Sequence, residues 1–75
     1  MNWRDYIVSD DKILSGKPVI KGSRISVELI LELMAAGWTK TQILKSYTSL
    51  NEEHLEAIFT YLKEGVEHER FFFNN

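Results

Sequence analysis

The sequence predicts a mainly α domain with a core of three helices and a short β-ribbon in its N-terminal third. Three observations carry that expectation. Ser26 precedes a run of mostly good helix formers over residues 27–36, and Gly37 stands where a C′ glycine would end it. Leu55, Ile58, Phe59, Leu62 and Val66 follow one another at spacings of 3, 1, 3 and 4, the stripe of an amphipathic helix. Tyr6-Ile7-Val8 and Pro18-Val19-Ile20 are β-prone runs bounded by turn-forming residues.

The elements follow in chain order. Tyr6-Ile7-Val8 is read as a strand stopped by Ser9-Asp10-Asp11, and Ile13-Leu14 as a further extended piece. Residues 1–25 then form a ribbon arm and residues 26–75 a trihelical core within one domain of residues 1–75. A two-stranded ribbon is marginal in water, so the arm packs on the helices or pairs with a second copy. In the stretch Gly16-Lys17-Pro18-Val19-Ile20-Lys21-Gly22-Ser23-Arg24-Ile25-Ser26-Val27, Gly16 and Gly22 allow positive φ, and Pro18 pushes Lys17 out of the helical region. Gly16, Pro18, Gly22 and Ser23 are the turn residues of a small hairpin feeding into the first helix. That helix is apolar over most of its surface, broken by Glu28 and Glu32 at i,i+4, so it is covered on more than one side. Thr39 caps a second helix from Lys40 to about Tyr47, with Ile43, Leu44 and Tyr47 inward. Asn51 caps the third, whose first turn holds Glu52 and Glu53 where negative charge suits the dipole. It runs to about Glu67, with Gly65 a weak point. Phe71, Phe72 and Phe73 near the end of the chain would be an aggregation hazard if free, so at least one is expected to be buried, and they are candidate partner-binding residues.

The motif GKPVIKGSRISV, the apolar helix ending at Gly37 and the next helix ending near Tyr47 resemble the domain-of-unknown-function family numbered 433. The resemblance runs from about Tyr6 to about Leu62. The chain departs from the family at Ser23, usually threonine, and at Ser26 and Thr48, usually proline. The resemblance implies a helix-turn-helix-like core and an antitoxin-like role beside a PIN-like nuclease toxin.

Composition sets outer bounds. A 75-residue chain buries only about 60% of its unfolded surface, so a homodimer through helix one, the ribbon, or both is expected to add stability. The absence of cysteine excludes disulfides and the usual structural zinc sites and fits a reducing cytoplasm. No apolar run is long enough to span a bilayer, and residues 1–5 lack the order of a signal peptide, so a cytoplasmic location is expected.

Charge is divided unequally along the chain. Residues 1–25 carry five basic and three acidic side chains, residues 26–75 four basic and eight acidic. Lys12, Lys17, Lys21 and Arg24 are therefore the candidate DNA-binding residues, since phosphate contact needs clustered positive charge. For Arg24 an ion pair or a carbonyl cap inside the domain is an equal alternative. Helix three would be the recognition helix of a helix-turn-helix, but Glu52, Glu53 and Glu56 at its start repel phosphates. Gly16-Lys17 and Gly22-Ser23 lack the order of a Walker loop. His54 and His68 lie 14 residues apart on one predicted helix, about 21 Å, too far to share a metal ion, and Glu64 with His68 reads as a solvated pair. No nucleophile–base pair, metal site or cofactor site can be proposed from spacing, so no enzyme is expected. Three functions remain: an antitoxin-like partner of a PIN-like toxin that also binds its promoter, a stand-alone DNA-binding regulator, and a structural homodimer.

Overall fold

A computed structural model describes residues 1–68; the candidate partner-binding residues Phe71, Phe72 and Phe73 lie outside them. Two short strands, β1 (Ile7–Val8) and β2 (Val19–Ile20), pair antiparallel with Ile7 opposite Ile20 and Val8 opposite Val19. Three helices follow: α1 (Val27–Ala35), α2 (Lys40–Ser46) and α3 (Glu52–Glu67). The fold is thus mainly α with an N-terminal ribbon, as the patterns predict.

β2 uses both of its edges. On one side the Lys21 N–H donates to the Tyr6 carbonyl at 2.8 Å; on the other the Ile20 N–H donates to Ile25 at 2.8 Å, and Val19 bridges Ser26. Such a central strand is buried on both faces, which suits its β-branched pair; Val19 is 0% and Ile20 2% exposed. The turn residues act as expected: Gly16 and Gly22 sit at φ +83° and +80°, and Lys17 is extended at ψ 146°. Ser23 closes the turn by donating its hydroxyl to the Ile20 carbonyl while accepting from the Ile25 N–H.

All three N-caps are those the sequence predicts. Ser26 accepts from the Leu29 N–H, and Thr39 and Asn51 each form a reciprocal capping box, with Gln42 and His54. Ala36 and Tyr47 are C-caps rather than last helical residues, each shortening its expected helix by one residue. The core joins Ile7 and Ile20 to Val27, Ile30, Ile43, Leu50, Leu55, Ala57 and Ile58, with Leu44 and Tyr47 packed against it.

Two expectations fail. Ile13-Leu14 is not a second extended piece: Ile13 is extended, but Leu14 and Ser15 adopt φ +48° and +57° in a 3-10 turn over Leu14–Gly16. The Gly16 and Lys17 N–H groups close that turn onto Ile13 and Leu14, reversing the chain so that β2 can return alongside β1. Phe59 and Val66 do not point inward; they are 43% and 45% exposed, while Ala57 and the predicted weak point Gly65 are buried. The N-terminal arm packs on that side of α3, and close approach there favours small residues.

Gly22→Ala should cost about 1 kcal/mol in urea unfolding, because its Cβ would meet nothing within 4 Å and only the left-handed backbone is penalised. Gly16→Ala should cost more, since its Cβ would also press on the Asp11 carboxylate at 3.1 Å. Equal stability of Gly22→Ala and the parent would contradict this account.

Candidate interaction surfaces

The four candidate basic residues do not act as equivalents. Lys21 and Arg24 flank the tip of the β2–α1 turn, both exposed, and among the described residues Arg24 makes no ion pair. Lys17 instead meets Glu28 at 3.0 Å, with more than half of each side chain in solvent, so its charge is offset although the pair adds little stability. Lys12 stands apart in the turn around Asp10, whose carboxylate accepts from the Lys12 N–H. Of the four, only Lys21 and Arg24 stand together, at the hairpin tip. Gly16, Pro18, Gly22 and Ser23 serve that hairpin structurally.

The N-terminal arm clasps α3 through a cluster that sequence patterning did not single out. Trp3, in a 3-10 turn over Trp3–Asp5, sets its ring edge-on to Tyr61 at 4.8 Å and donates its indole N–H to Glu64. Arg4 lies 4.4 Å over the Trp3 ring and 3.9 Å from the same carboxylate. Tyr6 donates its hydroxyl to Glu53 at 2.7 Å and meets the His54 ring edge-on at 5.5 Å. Two side chains of the first turn of α3 are thereby engaged: Glu53 accepts from Tyr6, and the Nδ1 of His54 accepts from the Asn51 N–H as part of the cap. The start of α3 is exposed but acidic, with Glu52, Glu53 and Glu56 on it, a charge that repels phosphates. Trp3 is a signal that was available, since a tryptophan two residues into a small chain must find cover, but only the fold says where.

A second surface lies between α1 and α3. Pro18, Val27, Leu31, Ala35, Tyr61 and Leu62 line a groove of about 480 Å³ rimmed by Glu28 and Glu32. Helix one buries only Val27 and Ile30 fully, so the excess apolar surface seen in its sequence is real, and this groove is where part of it faces outward. Tyr61 lines the groove and also meets Trp3, so the arm contacts a residue of the groove wall.

Among the described residues no group of three or more His, Asp or Glu side chains could hold a metal ion, and no helix is long and apolar enough to cross a membrane. Comparison with known proteins adds the following. A family model described as "Protein of unknown function (DUF433)" matches residues 7–62. The uncharacterized protein y4eO of Sinorhizobium fredii is 31% identical over 58 residues, covering 77% of this chain and 26% of that protein. The chain thus spans about a quarter of the length of the curated relative it matches. No solved structure matches.

Tyr6 should titrate above its ordinary value of 10.0, because its hydrogen bond to Glu53 favours the neutral phenol, aided by desolvation and by the charges of Glu53, Asp5 and Glu56. With the folded value raised, the stabilisation is complete below the unfolded value and is lost as pH rises through the folded one. The check is the tyrosinate absorbance difference between the parent and Tyr6→Phe; Glu53→Gln should return Tyr6 towards its ordinary value.

Proposed function

We propose that this chain, which belongs to the DUF433 family of proteins of unknown function, is an antitoxin-like protein that binds and masks a PIN-like nuclease toxin and binds its own promoter DNA. The observation that carries this reading is the α1–α3 groove. An apolar strip rimmed by two carboxylates, Glu28 and Glu32, complements the lip of a nuclease surface built from basic residues to hold RNA. Apolar contact supplies affinity, and the rim supplies orientation and rejects polyanions. The exposed Lys21 and Arg24 on the hairpin tip support the promoter arm of the proposal, because two copies of a homodimer would present four cations to phosphates.

The test is co-expression of the chain with the product of the gene adjacent to its own. A stable complex and loss of that product's RNA cleavage are expected. Ala35→Arg, at an exposed position lining the groove, should weaken the complex at least tenfold, on the scale of losing one interface anchor, without lowering the melting temperature. Molar mass of the chain alone separates the competing use of the groove: if Ala35→Arg converts a dimer to a monomer but leaves toxin binding intact, the groove belongs to the homodimer. A neighbouring product without nuclease activity, or no complex, overturns the antitoxin reading.

A further inference from the structure

Trp38, Gln42, Lys45 and Ser46 line a groove of about 270 Å³ that shares no residue with the α1–α3 groove. Their spacing of 4, 3 and 1 places them along one face of α2 and the residue leading into it. We infer that this face binds single-stranded nucleic acid, stacking one unpaired base on the Trp38 indole and holding a neighbouring phosphate at Lys45.

The platform is rigid. The Gly37 N–H donates to Met34 and the Trp38 N–H to Leu33, both at 3.0 Å, which is the paired bonding of a Schellman turn with Gly37 at φ +96°. Thr39, the next residue, is fixed by its capping box. An apolar residue at position 38 is expected from that turn, because it packs back on the helix it ends. The turn does not require a tryptophan, and 38% of this one remains exposed.

The polar groups beside it are donors. The Gln42 side-chain oxygen already accepts from the Thr39 N–H at 2.8 Å, leaving the amide NH₂ to donate outward. Lys45 makes no ion pair among the described residues. Residues 33–51 contain Lys40 and Lys45 and no carboxylate, whereas Lys40 lines a different groove with Glu52 and Glu56. An aromatic face, an amide donor, a hydroxyl and one unpaired ammonium suit a base edge and a phosphate. Stacking requires a base whose face is open, so the ligand is single-stranded.

The test follows tryptophan emission of the full chain titrated with oligouridylate, oligodeoxythymidylate and a duplex of equal length at two salt concentrations. Quenching by either single strand that weakens with salt supports the site, and the stronger of the two identifies RNA or DNA as its source. With variant affinities read from the anisotropy of an end-labelled strand, Trp38→Leu should lower affinity at least about tenfold, and Lys45→Glu, at an exposed position, should lower it with helical circular dichroism unchanged. The inference is overturned by no quenching at low salt, by equal quenching with duplex, or by affinity that survives both substitutions and falls only with Lys21→Glu and Arg24→Glu. Toxin binding by Trp38→Leu should be unchanged, so this outcome is independent of the antitoxin reading.

Discussion

The fold depends on the double pairing of β2. A strand of two residues has almost no stability as one side of a ribbon, yet here Lys21 and Ile20 donate in opposite directions, to Tyr6 and Ile25, so each neighbour holds the other in register. The Pro18 carbonyl accepts from the Val27 N–H, and the same short segment therefore fixes where α1 begins. Ser26 then belongs at once to a bridge with Val19 and to the cap of α1. The turn at Ser23 and the glycine at Gly22 let the chain reverse tightly enough for this to happen within eight residues, from Val19 to Ser26. Removing any one of these contacts loosens the arm and the helix start together.

From that anchor the arm reaches across to α3, and its aromatic cluster links the ribbon to the α1–α3 groove. Trp3 meets Tyr61, and Tyr61 forms a wall of the α1–α3 groove, so the arm supports a surface it does not itself line. The pairing of Tyr6 with Glu53 ties the arm to the first turn of α3 as well. Helix three thereby acts as a packing helix with an acidic outer face, on which Glu52 and Glu56 stand beside exposed Phe59. Its acidic face repels polyanions, while exposed cations stand at the hairpin tip and on α2.

Much of this architecture was legible because its causes are local. Ser26, Thr39 and Asn51 cap helices through bonds made within three residues, and Gly16, Gly22 and Gly37 adopt backbone conformations that other residues resist. The excess of apolar residues on α1 was also readable, since a 3.6-residue period leaves no wide polar face there. Less of the candidate surfaces could be read. Lys12, Lys17, Lys21 and Arg24 form one basic cluster in sequence, but Glu28 meets Lys17 from another element and Lys12 lies in a separate turn.

By itself, then, the sequence determined the helix boundaries to within a residue, the two β-prone segments and the glycines that take positive φ, because each follows from bonds and sterics between near neighbours. Tertiary structure alone decided that Leu14 and Ser15 turn instead of extending, that Phe59 and Val66 face solvent, and that Trp3 props Tyr61. Those outcomes depend on which elements approach α3 and from which side, a long-range choice set by the ribbon's double pairing. Periodicity can say that a residue lies on a stripe, but only the neighbour that covers the stripe determines where its edge falls.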